Sequence, residues 1–344
     1  MREIVVLTDD FLQVDEKGFN HVVARGSCIQ INSIMQYLAR EYNLYFRVIQ
    51  MSKKEEECEY GNIHVCSVAA DNFFDYKRKI IKMRKYHLLH FNNIDLYDES
   101  FDARYITATI HTNAFLNKRN AMLWLNTYKK MFDKIIVVNT EYIKKFCCDN
   151  MHLICNGIDT NNFYYEKRNV ENNNVLLFPN IAVPNKNLEF ALKLICNLNN
   201  FSDKKYVLYV LGQNKDNIQE DNVVFLGELS HERDMPCMYR KALVTLIPSL
   251  YESCSLCMLE SMASGTVVLA NNIVGLKDYI ADGNTGFLLS VDDCIPWCQK
   301  ILQLSSDSSL YYRIAVQAYN TICGKYVLKQ TAEKYYHIWK DYLI

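Results

Sequence analysis

Glu252 and Glu260 stand eight residues apart at the ends of a stretch that reads ESCSLCMLE. Residues 253–256 read as a loop that opens a helix, which leaves backbone N–H groups unpaired at its start. Such an end, with its positive dipole, suits an anion or a sugar hydroxyl. Ser255 and Leu256 occupy that start. Glu260 falls about two turns into the helix, and eight helical residues rise about 12 Å. By spacing alone this is weak evidence, and two ordinary carboxylates on a solvated helix face would give the same pattern. Against that, the apolar Leu256, Met258, Leu259 and Met262 leave little exposed face. Cys254 and Cys257 lie inside the same stretch, and no second cysteine pair stands at ligand spacing, so no metal site is expected here. Asp9-Asp10 and Asp292-Asp293 are adjacent carboxylates without a supporting ligand cluster.

The elements that must position these residues alternate. Short apolar runs at 4–7, 45–49, 63–68, 87–91, 105–110, 135–138 and 153–155 read as strands, with amphipathic segments such as 29–38 between them. The pattern breaks at the polar, Asn-rich stretch 161–174. It restarts with strands at 175–178, 206–211, 223–226, 243–247, 266–270 and 286–289 and a helix over 188–198. Continuous apolar strands alternating with helices mark parallel sheets covered on both faces. The expectation is therefore an α/β chain of two doubly wound domains facing a cleft at the carboxyl ends of their strands. The boundaries read as 1–160 for the first domain, 161–174 for a linker and 175–324 for the second domain. Residues 325–344 read as a C-terminal helix returning to the first domain, with Tyr335, Tyr336, Trp339 and Tyr342 packing there. The 9–26 loop after the first strand is long and offers only Gly18 and Gly26. Gly26 precedes a helix and could let backbone approach a phosphate.

Length and composition agree with two cores. The chain has 344 residues, half of them apolar, with 22% charged and 12% aromatic, which excludes a disordered chain. Lys+Arg (38) nearly balance Asp+Glu (39), so a nucleic-acid-coating protein is not expected. No run approaches a membrane span, and the apolar run near Met1 is too short for a secretory signal. Thirteen scattered cysteines, an odd number, read as reduced thiols in a cytoplasmic protein. Two local stretches depart from neutrality. Residues 77–85 read KRKIIKMRK, and 115–132 carry Lys118, Arg119, Lys129 and Lys130 among Leu123, Trp124, Leu125 and Met131. Either is a helix packed on its sheet with a solvated basic face, or a surface for anionic membrane.

Over residues 225–289 the chain resembles the C-terminal domain of GT-B glycosyltransferases, and is most similar to the family 4 retaining enzymes. The resemblance is carried by Pro248-Ser249, Glu252, Glu260, Met262-Ala263-Ser264-Gly265, Gly275 and the 282–286 turn DGNTG. It extends upstream to Asn156-Gly157-Ile158-Asp159, where the family's chain crosses between domains. It implies two Rossmann-like domains and a nucleotide-sugar as substrate, with no cofactor and no metal. Glu252 would contact the donor sugar, Glu260 the ribose, and Ser255 and Leu256 the donor at the helix start. His111, after the apolar run 105–110, would correspond to the family's cleft histidine near the donor sugar or its phosphate; a merely structural histidine is the alternative. His90 is a weaker candidate at another strand end. Lys186 would grip the diphosphate unless it is an ordinary exposed helix-start lysine. The family's Gly-Arg pair is replaced by Asn180 and Ile181, and losing one charge-assisted contact costs about 1.5–3 kcal/mol. Another basic residue substitutes, or the enzyme is slower, or activity is lost.

The activity this implies is metal-independent, retaining hexosyl transfer from a nucleotide-sugar to a hydroxyl of a glycan or lipid-linked glycan. The context would be surface polysaccharide synthesis, on the cytoplasmic side and in peripheral contact with an anionic membrane through 77–85 and 115–132. Nucleic acid is not among the expected partners. A non-catalytic binding subunit and a sugar-nucleotide epimerase on the same two-domain plan are the alternatives.

Overall fold

The computed structural model describes residues 3–14, 20–23, 25–83, 85–180, 184–214 and 217–343. The chain divides into two compact units. One comprises Met1–Gly157 with Leu328–Ile344, the other Ile158–Val327.

The first unit holds β1 (Glu3–Leu7), β2 (Leu12–Val14), β3 (Asn20–Val22), α1 (Gly26–Tyr42), β4 (Tyr45–Ser52), β5 (Glu56–Tyr60), β6 (Ile63–Ala69), α2 (Phe73–Ile81), β7 (Tyr86–Phe91), β8 (Ala103–Ile110), α3 (Ala114–Asn117), α4 (Arg119–Tyr128), β9 (Lys134–Val137), α5 (Thr140–Phe146) and β10 (Met151–Leu153). Eight of these strands form one sheet in the order β10-β9-β8-β7-β1-β4-β6-β5. All neighbours are parallel except β5 against β6. The order reverses direction between β1 and β7, the position where ligands meet such sheets. Alternate strand residues feed two cores. Val5, Leu7, Leu89 and Phe91 pack on one face with Tyr76, Leu125 and Tyr142. Ile4, Val6, Val48 and Leu88 pack on the other with Ile31, Ile34, Met35, Tyr335 and Trp339.

The second unit holds β11 (Val175–Phe178), α6 (Leu188–Phe201), β12 (Val207–Val210), β13 (Val223–Phe225), α7 (Met235–Lys241), β14 (Val244–Ile247), α8 (Leu256–Ala263), β15 (Val267–Asn271), β16 (Phe287–Leu289), α9 (Ile295–Ser306) and α10 (Ser308–Lys325). Its six-stranded sheet is wholly parallel, in the order β13-β12-β11-β14-β15-β16. Counted from β11 this is 3-2-1-4-5-6, the doubly wound arrangement, with its switch point between β11 and β14. α11 (Leu328–Trp339) belongs to the first unit.

The 161–174 stretch, polar enough to read as a linker, is part of the second unit. Val170 is buried in its core. The Arg168 guanidinium donates to Ala242 O at 3.1 Å, Thr266 Oγ1 at 2.7 Å and Tyr311 OH at 3.0 Å. Tyr165 lies over Gly265, whose φ of +70° and lack of a Cβ permit the approach. The long 9–26 loop contains the β2–β3 hairpin. Gly26 is the first residue of α1, flanked by Arg25 paired with Asp9 and Asp10.

The basic stretch 77–85 is largely neutralised by its surroundings. Lys77 pairs with Asp98, Arg78 and Lys79 with Asp75, and Lys85 with Asp102. Arg84 lies outside the described residues. Among the described residues no helix is long and apolar enough to cross a membrane.

α11 is held to the first sheet by a buried polar cluster. His90 Nδ1 meets Thr107 Oγ1 at 2.9 Å and its Nε2 meets Thr109 Oγ1 at 3.2 Å. Thr109 also bonds Tyr335 OH at 3.0 Å, and Trp339 Nε1 donates to Thr107 at 3.3 Å. Burial first, then the neighbouring His111, pushes the His90 pKa down to about 3. Above roughly pH 6.5, where an unfolded histidine is also neutral, the contribution is fully present. As pH falls from there toward 3 the unfolded chain binds a proton that the folded one refuses, and stability is lost. Protection factors in α11, taken against the intrinsic exchange rate at each pH, are expected to fall between pH 7 and 4.5, with a smaller change in His90→Asn.

Candidate functional site

At the switch point of the second sheet the two central strands end in Pro179-Asn180 and Pro248-Ser249. α8 begins beside them. Ser255 is its N-cap, and its hydroxyl accepts from Met258 N at 3.4 Å. Leu256 is the first helical residue. The Cys257 thiol donates to Pro179 O at 3.3 Å and so ties the first turn of α8 to the end of β11. Burial, with the Glu260 carboxylate, pushes that thiol up to about 12, so it serves as a packed neutral group rather than a nucleophile or metal ligand.

Lys186 Nζ is paired with Glu252 Oε1. Ser249 Oγ donates to the same oxygen at 2.9 Å. Glu252 is 9% exposed, so its charge is held by specific partners rather than by water. The loop that carries it is fixed from three sides. Leu250 N donates to Asn185 O at 2.8 Å, Asn271 Nδ2 to Ser249 O at 2.8 Å, and Gly275 packs against the loop backbone. Gly275 has φ +89°, and a Cβ there would overlap Glu252 O and stand 2.8 Å from Ser253 O. Only glycine allows both the backbone angle and the approach.

Glu260 is 2% exposed, with both oxygens engaged. His231 Nε2 meets Oε1 at 2.7 Å and Tyr239 OH donates to Oε2 at 2.8 Å. Burial works against a protonated His231, but the Glu260 carboxylate outweighs it and the pKa lies above the ordinary value. Asn180 is 5% exposed, and its Nδ2 has no hydrogen-bond partner among the described residues. Asn180 follows Pro179, whose carbonyl meets the first turn of α8. Ile181, with 182 and 183, lies outside the described residues.

Lys186, Glu252, Ser249, Ser255, Leu256, Glu260 and Asn180 therefore all belong to one sheet end of the second unit. His231 and Tyr239 carry much of its electrostatics without any advance signal. A histidine 29 residues upstream of Glu260 gives none until α7 is folded against α8.

In the first unit His111 directly follows β8, and its half-buried imidazole meets Asn92 Oδ1 at 3.0 Å. An amide oxygen only accepts, so Nε2 carries the proton. Burial pushes the pKa down to about 4. A neutral imidazole offers a hydrogen bond rather than a charge, which suits a hydroxyl better than a phosphate. Asn92, at the end of β7, is 2% exposed with an unpartnered Nδ2 among the described residues. His90 is fully buried in the cluster under α11 and is structural.

Solved structures similar in fold to this chain include sucrose-phosphate synthase from Thermosynechococcus elongatus, with a TM-score of 0.78 and 15% identity over 99% of both chains. HepE from Anabaena, in complex with UDP and glucose, gives a TM-score of 0.77 at 14% identity, over 99% of this chain and 100% of that one. The fold is GT-B. Onto this GT-B frame residues 161–321 match the family model of glycosyl transferases group 1, a segment lying within the second unit. An uncharacterized glycosyltransferase of Methanocaldococcus jannaschii is 24% identical over 249 residues, 64% of this chain and 63% of that protein. The chain spans less than two thirds of the length of the curated relatives it matches.

Proposed function

We propose that the protein is a retaining, metal-independent glycosyltransferase of family 4 type, moving a hexose from a nucleotide-sugar to a hydroxyl of a glycan or lipid-linked glycan. The observation that carries this is the assembly of Lys186, Glu252 and Glu260 at the switch point of a 3-2-1-4-5-6 sheet, inside the segment that matches glycosyl transferases group 1. The GT-B fold and the archaeal relative support the same reading.

In the proposed reaction the donor diphosphate meets Lys186, the N–H groups opening α8 and the Asn180 amide, unpartnered among the described residues. Lys186 exchanges its Glu252 partner for the diphosphate, which releases the Glu252 carboxylate to a sugar hydroxyl. Glu260 accepts from the ribose hydroxyls. The acceptor oxygen bonds to the anomeric carbon on the face from which the diphosphate leaves, the carbon–oxygen bond to phosphate breaks, and a diphosphate oxygen takes the acceptor proton. No dedicated protein base is then needed. Lys186 and the backbone donors stabilise the charge that develops on the leaving diphosphate. The neutral His111 serves the acceptor hydroxyl by hydrogen bonding. A role in surface polysaccharide synthesis belongs to the same proposal. So does peripheral contact with an anionic membrane, through what the ion pairs leave: exposed Lys82, Lys118, Arg119 and Lys130 with Phe74 and Leu123.

UDP is the first nucleotide to test, because HepE binds it in the same fold. A thermal-shift screen with UDP, GDP and their sugars is expected to raise the melting temperature with one base only. Consumption of that donor with an acceptor glycan, giving the α-linked product from an α-linked donor, completes the test. Binding without consumption would replace the proposal with a binding subunit, and an epimerised donor with an epimerase.

A further inference from the structure

The first sheet brings four chemistry-bearing side chains together at its antiparallel edge. β5 pairs with β6 so that Glu57 stands opposite Cys66 and Glu59 opposite His64. Residues two apart on a strand share a face, so all four stand on one side of the edge ladder. His64 Nδ1 meets Glu59 Oε1 at 2.8 Å. A carboxylate at Nδ1 keeps the proton there and leaves a lone pair on Nε2, which is how histidine is oriented for a cation.

Nε2 is buried and has no hydrogen-bond partner among the described residues, although Glu57 Oε2 is 3.3 Å away. Cys66, 4% exposed, places Sγ 3.6 Å from Glu57 Oε1. The nitrogen, the sulfur and a Glu57 carboxylate oxygen lie within 4.8 Å of one another. A nitrogen lone pair facing a carboxylate repels it unless something positive stands between them. Arg47 Nη1 donates to Cys66 Sγ at 3.5 Å while its Nε is held by Glu3 at 2.7 Å. The guanidinium works toward a thiolate, but burial outweighs it and holds the thiol above its ordinary range, so the bound ion itself must displace the proton. Arg47 is balanced by Glu3, so Glu57 and Glu59 leave an excess of negative charge beside Cys66 that a divalent cation offsets.

We propose that Glu57, His64 and Cys66 form a binding site for a divalent cation of the zinc class, with Glu59 orienting His64. A mixed sulfur, imidazole and carboxylate set selects a borderline-soft ion over magnesium or calcium, and three protein ligands leave one tetrahedral position for water. His64 is the second residue of β6, near the amino ends of the parallel strands. Thr8, Asn92 and His111 lie at the carboxyl ends, so the ion takes no part in sugar chemistry. Its effect is to clip β5, the one strand at that edge with a free side, to β6.

The test is titration of the chelator-stripped full chain with Zn2+ against a chromophoric competitor, with Co2+ as a spectroscopic probe. One tight equivalent is expected, and a thiolate-to-cobalt charge-transfer band. Glu57→Gln, at an exposed position that folding does not depend on, and His64→Ala should each weaken Zn2+ binding by roughly tenfold or more. Cys66→Ser should remove the band. Zn2+ should also slow hydrogen exchange in Glu56–Tyr60 of the wild type but not of Glu57→Gln. If no tight equivalent binds, the cluster is an imidazolium held by two carboxylates only, and the proposal falls. It falls equally if Zn2+ binds with unchanged affinity in Glu57→Gln and His64→Ala, because other cysteines would then hold the ion.

Discussion

Lys186→Ala is expected to lower the rate of sugar transfer on the order of 10²–10³-fold, the usual loss when one preorganised donor to a developing oxyanion is removed. The effect should fall mainly on kcat, because the charge that Lys186 meets grows as the diphosphate leaves. Lys186 is the candidate for that duty because it is the cation paired with Glu252 at this sheet end. The variant also strips a cation from Glu252, a carboxylate that is 9% exposed. Removing one member of such a pair destabilises the fold, although the Ser249 hydroxyl still donates to Glu252. The two effects separate when the loss of stability is read from the melting temperature and the loss of kcat is measured well below it, where the variant is fully folded. Lys186→Arg should recover part of the rate. Transfer near the wild-type level in Lys186→Ala would mean that the diphosphate is held elsewhere.

Much of this architecture was legible because parallel strands buried on both faces are written as continuous apolar runs. β14 is the plainest case, with Val244, Leu246 and Ile247 wholly buried and Thr245 with them. Edge strands obey the opposite rule. β5 reads EECEY, which resembles a loop, because an edge is protected from pairing with another chain by charge. The same logic hid the 161–174 stretch. Its polarity suggested a free linker, yet Arg168 is polar because it satisfies the carbonyl of Ala242 and the hydroxyls of Thr266 and Tyr311 inside the second unit. At the site, Glu252, Glu260 and Lys186 could be read from local spacing within a recognisable frame. Tyr239 and His231 could not, since they meet Glu260 from 21 and 29 residues away and only the packing of α7 on α8 makes them neighbours.

Glu260→Ala is expected to weaken nucleotide binding by roughly 10–100-fold, the worth of a charge-assisted hydrogen bond of about 1.5–3 kcal/mol. An ionised carboxylate offers about four lone-pair sites. His231 and Tyr239 occupy two of them, which leaves capacity for two ribose hydroxyls. Tyr239 is fully buried, whereas the His231 side chain is 28% exposed, so under the proposed function the open approach to Glu260 is on the His231 side. The nucleotide-free protein then has a pH signature. A histidine whose folded pKa is raised contributes stability fully present below its unfolded value near 6.5, and that contribution is lost as pH rises through the folded pKa. Glu260→Gln keeps the shape and the Tyr239 contact but removes the charge. Burial, the largest influence on His231, is then opposed only by the weaker field of Glu232, and the pKa should drop below the ordinary histidine value, as an NMR titration of the imidazole would read. A His231 pKa unchanged in Glu260→Gln would show that another group holds the proton, and unchanged nucleotide affinity in Glu260→Ala would remove Glu260 from the ribose.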